Sequence, residues 1–160
     1  AYDNKPSIQS TAAMFLASGA FSQAQPFSVW IVGNFVLTGV TIADFAGGGS
    51  VTGNSNGVNL NMGSNFFDPV NPASPSVILV IANGASSYVG VNDWAASGGT
   101  TSNAGAGSLT GGLSIFANQG GTGGGVGKCL EILGVPRAAT AGDRTAMASY
   151  VLTRYGKTIT

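Results

Sequence analysis

The feature that most strongly constrains the fold of this chain is a series of short apolar segments with a period of two, separated by turns rich in glycine and asparagine. The clearest is segment 26–35, in which Phe27, Val29, Ile31 and Phe35 fall at strand spacing. Similar segments follow at intervals of roughly ten residues: 40–45, 58–62, 77–81, 88–91, 109–117 and 126–133. This spacing predicts an all-β, antiparallel β-sandwich or barrel. A parallel α/β fold would need helical crossovers, and the sequence offers no convincing one between residues 28 and 133.

Two stretches refine this prediction. Segment 77–81 is apolar at every position, which is typical of a strand covered on both faces, and the turn signal Asn83-Gly84 follows it. In segment 98–127, twelve of thirty residues are glycine, without a fixed repeat. Apolar residues interrupt this segment, so it predicts ordered tight turns and bulges rather than a flexible linker.

The last segment has the pattern of an amphipathic helix. Thr140 has the character of an N-cap with Asp143 in the first turn, and Gly156 stands where a C-terminal glycine cap belongs. The apolar positions between them have helical spacing: Met147, Tyr150, Val151 and Tyr155. We therefore expect a single domain over residues 1–160, with strands over about 7–135 and one C-terminal α-helix over about 141–155. The helix is expected to lie across the sandwich and to shield one edge or end.

Formal charge is sparse, with six cations and six acids in the whole chain. Residues 6–127 contain no Lys or Arg and only three acids, Asp44, Asp68 and Asp93. A nucleic-acid partner is not expected, because cations that neutralise phosphates supply most of that affinity. A membrane partner is not expected either, because no apolar run approaches the roughly 20 residues that cross a bilayer. A hydrated, uncharged surface instead favours neutral polar ligands such as sugars, or a place inside an assembly.

The residue types for common catalytic sites are missing or scattered. The chain has no histidine, which excludes Ser/His/Asp and Cys/His mechanisms and histidine-based zinc sites. Cys129 lies in an apolar strand and is expected to be a buried thiol. The acids stand singly, so the paired carboxylates of a glycoside hydrolase are not expected. We expect Glu131 to pair with Arg144 or Arg154 where the helix docks.

The C-terminal third resembles a known family. Residues 127–137, 140–144 and 150–156 are similar to the closing strand, turn and helix of concanavalin A-like and laminin-G-like jelly-roll domains, whose ends carry Gly-x-x-x-Glu-Ile-Leu and Tyr-Leu-x-x-Lys/Arg-Tyr-Gly. Residues 25–29 and 83–92 match earlier family strands in the same order. The resemblance extends from about residue 6 to residue 156. Many relatives open with a strand that carries Phe-Asp/Asn-Gly, and we do not expect it within residues 1–6, because this segment is too short for it.

This resemblance implies a jelly roll of the type found in phage tail proteins, capsid-decoration proteins and bacterial surface proteins. It implies a non-catalytic, lectin-like adhesion or decoration module on a virion surface or in an extracellular location. Expected partners are other virion or surface-assembly proteins, cell-surface polysaccharide and copies of the chain itself. The alternative is a purely structural protein that cements a virion and binds no glycan; a glycoside hydrolase-like enzyme ranks third.

Sugar binding would need an exposed aromatic ring beside fixed polar groups. Trp94 is the strongest candidate for the ring, and Tyr88, Asn92 and Asp93 are its candidate neighbours. The alternative for Trp94 is that it folds back as a lid on the core. Trp30 lies on the strand face opposite Phe27, either in solvent or in a second packed layer.

Jelly-roll lectins often hold calcium at a loop rim, and Asp44, Asp68 and Asp93 all fall near strand ends. An isolated aspartate in a turn more often caps its own backbone. We therefore predict no metal and no other cofactor.

Overall fold

The computed structural model describes residues 8–11, 16–17, 19, 21–36, 39–45, 49–54, 57–69, 76–94, 99–117 and 126–160. Within them the chain forms twelve strands, one helix and a short 3-10 turn at Gly84–Ser86. The strands and helix are β1 (Ile8–Thr11), β2 (Leu16–Ala17), β3 (Phe27–Val36), β4 (Val40–Phe45), β5 (Gly49–Asn54), β6 (Gly57–Asn61), β7 (Asn65–Asp68), β8 (Ser76–Ala82), β9 (Ser87–Val91), β10 (Thr100–Ser102), β11 (Ser114–Ile115), β12 (Val126–Val135) and α1 (Ala141–Tyr155).

The strands form two six-stranded sheets. Sheet A has the order β1-β12-β3-β8-β9-β10, and sheet B has the order β2-β11-β4-β5-β6-β7. Neighbouring strands in both sheets pair antiparallel. The antiparallel β-sandwich predicted from the alternating pattern is therefore confirmed.

The inward-facing residues of the two sheets form one core. On β3 the alternating side chains Phe27, Val29 and Ile31 are buried there against residues of sheet B such as Phe45 and Leu60. Cys129 is also part of this core, as expected, and it is a free cysteine. Its burial raises the pKa of the thiol to about 12, so the nucleophilic thiolate is scarce at neutral pH.

A second apolar layer lies on the other face of sheet A. Trp30 on β3 and Leu79 on β8 pack there with Met147 and Val151 of α1, and both strand residues are at most 4% exposed. This confirms that β8 is covered on both faces and that Trp30 belongs to a second packed layer. The predicted position of the helix at an edge or end is wrong. The helix covers a sheet face, because the outer residues of β3 and β8 are themselves apolar and need a cover.

Both ends of α1 are those predicted. The Thr140 hydroxyl accepts a hydrogen bond from the Asp143 backbone N–H at 3.2 Å, and the Asp143 carboxylate accepts one from the Thr140 backbone N–H at 2.8 Å. This reciprocal pair is a capping box. At the other end Gly156 takes a φ of 68°, and its N–H donates to the Leu152 carbonyl at 2.8 Å. Glycine reaches this left-handed conformation without a steric penalty.

A carboxylate on β12 anchors the helix to sheet A. Glu131 accepts hydrogen bonds from the Tyr150 hydroxyl at 2.8 Å and from the Tyr155 hydroxyl at 2.5 Å. The Arg154 Nε lies 3.4 Å from the same carboxylate, which confirms Arg154 as its cation. Arg144 has a different role, since its guanidinium lies 4.3 Å from the centre of the Tyr88 ring.

The sequence predicted the polar strands least well. The predicted strand 109–117 is reduced to β11 and an isolated bridge between Gln23 and Leu109. Gly112 lies between them at a φ of 101°, a backbone conformation that glycine adopts without a steric penalty. Strands β1, β2, β5, β7 and β10 were not predicted, because they are short or polar and none shows a sustained apolar alternation. Residues 118–125 of the glycine-rich segment lie outside the described part of the chain.

Replacement of the N-cap, Thr140→Ala, is expected to lower the free energy of unfolding by about 1 kcal/mol, because the Asp143 N–H loses its acceptor. Urea unfolding followed by circular dichroism measures the change. Thr153→Ala is the matched control, since Thr153 is exposed within the same helix and its loss should cost less than about 0.5 kcal/mol. Equal costs for the two variants would contradict a specific role for the capping box.

Candidate functional site

Trp94 lies just beyond the end of β9, and its side chain is 0% exposed. The indole N–H donates to the Val77 carbonyl at 3.1 Å, and the ring meets Trp30 edge-on with 6.5 Å between ring centres. The expectation of an exposed ring is therefore wrong, and the alternative that Trp94 folds back on the core is correct. Burial in the layer beneath α1 removes a large apolar area from water and still gives the indole N–H an acceptor.

The residues predicted around Trp94 make structural contacts. Asn92 adopts a φ of 63°, and its side-chain oxygen accepts a hydrogen bond from the Val77 N–H at 2.8 Å. Its carbonyl accepts another from the Thr160 N–H at 3.1 Å, which ties the chain end to β9. Asp93 is half-buried, and its Oδ1 atom has no hydrogen-bond partner within the described part of the chain.

Tyr88 is enclosed in the same layer as Trp94. Its side chain is 5% exposed, and Arg144 of α1 stacks on its ring. Burial raises the pKa of the Tyr88 hydroxyl to about 12, although the Arg144 charge opposes this shift. None of the four candidates thus presents an aromatic face to solvent, and a ligand role for them remains a prediction.

The aspartates considered for calcium do not gather into a cluster. Asp68 is 2% exposed, and its carboxylate accepts a hydrogen bond from the Val91 N–H at 3.2 Å. Asp44 lies on β4 in sheet B, on a different strand from Asp93 and Asp68. Among the described residues no group of three or more His, Cys, Asp or Glu side chains could hold a metal ion. None of the helices in the described ranges is both long and apolar enough to span a bilayer.

Sequence reasoning missed a second candidate surface, the outer face of sheet B. Cross-strand pairing places Val51 opposite both Ala43 and Leu60, and these three side chains are buried in the core. The alternate residues must face the other side of the sheet, since successive side chains of a strand point in opposite directions. We call this surface the polar face. Its partly exposed described side chains are Thr41, Asp44, Ser50, Thr52, Asn54, Asn59, Asn61 and Asn65, whereas Ser114, the β11 partner of Asp44, lies on the same side but is buried.

The polar face carries two cross-strand rows of hydroxyl and amide groups. Ser50 pairs with both Asp44 and Asn61, and Thr52 pairs with both Thr41 and Asn59. All of these side chains keep part of their surface exposed. Neighbouring strands lie roughly 4.8 Å apart, so each row presents a regular series of groups that can both donate and accept hydrogen bonds. A period-two search for polar residues, rather than apolar ones, would have found this pattern in segments 50–54 and 59–61.

A third feature is an apolar pocket of about 420 Å³ at one end of the sandwich, which we call the end pocket. The first residues of β3 and the last residues of β4 and β12 meet there with two loops. Its lining consists of Phe21, Gln23, Phe27, Ser28, Val29, Phe45, Leu109, Leu113, Ile132, Gly134, Val135 and Pro136.

Comparison with known proteins bears on the fold. No protein-family model matches the chain, and no curated protein matches it in sequence. Among solved structures, a native heptameric SAP-like pentraxin from Limulus polyphemus is similar, with a TM-score of 0.63 and 14% identity over 90% of this chain and 79% of that one. The fold is a jelly-roll β-sandwich. An alginate lyase of polysaccharide lyase family 7 aligns over 74% of this chain and 62% of that one, with a TM-score of 0.40 and 9% identity.

The variant Trp94→Ala is expected to lower the free energy of unfolding by about 3–5 kcal/mol, because it leaves a cavity beneath the helix and removes one of the two hydrogen bonds to the Val77 carbonyl. Chemical denaturation checks this. Trp94→Phe keeps most of the side-chain volume, so it should lower the free energy of unfolding by clearly less than Trp94→Ala does. A fully stable Trp94→Ala protein would contradict the buried position.

The buried tyrosines predict a loss of stability at high pH. Burial raises the pKa of both Tyr88 and Tyr155 to about 12, from an ordinary value of 10.0. The unfolded chain therefore releases these protons at a lower pH than the native protein does. Their contribution to stability is complete below about pH 10 and falls as the pH rises towards 12. We expect the urea midpoint to fall over this range and the 295 nm absorbance at pH 11 to increase when the chain unfolds. Complete tyrosine ionisation near pH 10 in natively folded protein would contradict this.

Proposed function

We propose that this protein is a non-catalytic, lectin-like module that binds a neutral glycan through the polar face of sheet B. The observation that carries the proposal is the cross-strand ladder of hydroxyl and amide side chains on that face. Serine, threonine and asparagine can each donate and accept hydrogen bonds, as the hydroxyl groups of sugars do. The jelly-roll fold and the family resemblance of the C-terminal segment support the same class of function.

The charges of this face favour a neutral glycan over an acidic one. Asp44 is the one charged residue among its described side chains. A polyanionic polysaccharide would meet this carboxylate and no compensating cation on the described face. A neutral sugar can instead use the carboxylate as a strong hydrogen-bond acceptor for its hydroxyl groups.

The positions of the carboxylates support a binding role rather than hydrolysis. Hydrolysis of a glycosidic bond needs two carboxylates on either side of one sugar linkage. Asp68 accepts a backbone hydrogen bond, Glu131 is bound by two tyrosines, and Asp143 is paired with Arg137. Asp93 follows β9 of sheet A, so Asp44 is the one acid among the described residues that lies on the polar face.

We further propose that the module acts on a surface, as an adhesion or decoration component of a phage virion or another extracellular assembly. A flat face of hydroxyl and amide groups binds each sugar weakly, so several copies held together would raise the affinity. The sparse charge of the chain suits such packing, because copies repel one another little. The similar pentraxin is heptameric, which is compatible with this arrangement.

A panel of neutral and acidic polysaccharides, tested by affinity electrophoresis and on a glycan array, would examine the proposal. We expect the intact chain to be retarded by at least one neutral polysaccharide and not by polyanionic ones. The double variant Thr52→Ala/Asn59→Ala removes one cross-strand pair of the polar face and should weaken this binding about tenfold, which corresponds to 1.4 kcal/mol.

The matched control is Thr101→Ala/Asn83→Ala, which removes the same two residue types from exposed positions on sheet A and its turn. This control should bind as the unmodified chain does, and both double variants should keep their thermal midpoints. Equal loss in the two double variants would refute the polar face as the site. If the folded protein binds none of the polysaccharides in the panel, the glycan proposal is overturned and a purely structural decoration role is favoured.

A further inference from the structure

The end pocket lies at the opposite end of the sandwich from Trp94. Phe27 pairs with Ala82 at the start of β3 and the end of β8, whereas Asn92 and Trp94 follow the far end of β9. The rings of Phe27 and Phe45 meet edge to face in the pocket wall, with 5.8 Å between their centres. Both rings are at most 1% exposed, so they close the space between the sheets at this end and form the floor of the pocket.

The lining of the end pocket offers no charge. Its described residues include no acid or base, and only Gln23 and Ser28 are polar. The Ser28 hydroxyl already donates to the Arg137 carbonyl at 2.9 Å and accepts from the Ala139 N–H at 2.8 Å. The Gln23 amide nitrogen donates to the Ala24 carbonyl at 2.8 Å. A charged ligand would lose its hydration here without compensation, so the lining selects an uncharged one.

The size of the pocket and the exposed ring at its rim further limit which uncharged ligands could bind. The volume of about 420 Å³ lies within the range of roughly 300–1,000 Å³ that is usual for small-molecule sites. Phe21 lines the pocket and is 46% exposed, a large exposure for an aromatic side chain. Its ring is available to stack against another ring, so Phe21, rather than the buried pair Phe27 and Phe45, favours a rigid aromatic ligand over a flexible chain.

We propose that the end pocket binds a small, uncharged aromatic molecule, independently of the glycan site on the polar face. The ligand stacks on Phe21 at the rim and lies against Leu113 and Val135 above the Phe27–Phe45 floor. This site lies on different residues from the polar face, so its occupancy does not depend on whether a glycan binds.

The test is a fluorescence titration of the full chain with N-phenyl-1-naphthylamine, an uncharged aromatic probe that brightens in apolar sites. We expect saturable binding of one probe per chain. The charged analogue 1-anilinonaphthalene-8-sulfonate should bind more weakly. Indole should displace the probe at a lower concentration than 1-hexanol, a neutral aliphatic molecule of similar hydrophobicity.

Two variants locate the site. Phe21→Ala removes an exposed ring with little effect on the core, and it should weaken probe binding about tenfold. Leu113→Trp fills the pocket from a loop and should abolish binding while the chain stays folded by circular dichroism. Leu152→Ala is the matched control, because it removes a side chain that is 50% exposed on α1, away from the pocket. It should bind the probe within about twofold of the unmodified chain.

Several results would overturn the proposal. They are failure of the folded chain to bind the probe, binding that survives both pocket variants, a preference for the charged analogue, and more effective displacement by 1-hexanol. Sedimentation that shows self-association lost in Phe21→Ala would also overturn it, because the pocket would then be the contact between two copies of the chain.

Discussion

Sheet A is apolar on both of its faces, and the rest of the structure depends on this constraint. On β3 and β8, Ile31 and Ile78 point towards sheet B, whereas Trp30 and Leu79 point the opposite way. Full burial of each such side chain is worth about 1.5–3 kcal/mol, so neither face can stay in water. Sheet B covers one face and α1 covers the other. The protein thus has three layers with sheet A in the centre. Because both faces of sheet A are apolar, sheet B and α1 must each present an apolar surface to it.

The covering helix is held by a few directional contacts as well as by its apolar side. Glu131 on β12 accepts hydrogen bonds from Tyr150 and Tyr155 of α1, and these contacts set the position of the helix on the sheet. The capping box at Thr140 sets where the helix begins. Because Trp94 and Tyr88 lie beneath α1, the aromatic rings that first suggested a sugar site serve to attach this layer.

The chemical character of each exposed surface decides which kind of ligand can bind there. Sheet B has an apolar inner side and a polar outer side, so its polar face stays available to solvent and to neutral polar ligands. The end pocket has the opposite character, since its described lining is mostly apolar and carries no charge. Two chemically distinct surfaces therefore occur on the described part of the chain: a hydrogen-bonding sheet face and an apolar pocket with an exposed phenylalanine ring at its rim.

Much of the fold could be predicted from the sequence, because its signals are local. The alternating apolar residues of β3, the continuous apolar run of β8 and the caps of α1 act within a few residues of the chain. Strands β1, β2, β5, β7 and β10 escaped prediction because they are too short or too polar to show a sustained apolar alternation, and their strand state depends on pairing with neighbouring strands. The local pattern thus determined the sandwich and its helix. Only the tertiary structure decided the burial of Trp94 beneath a helix some fifty residues later, the alignment of Ser50 with Asn61, and the opening of the end pocket. These features depend on which distant segment covers or pairs with a residue, and no short stretch of sequence contains that information.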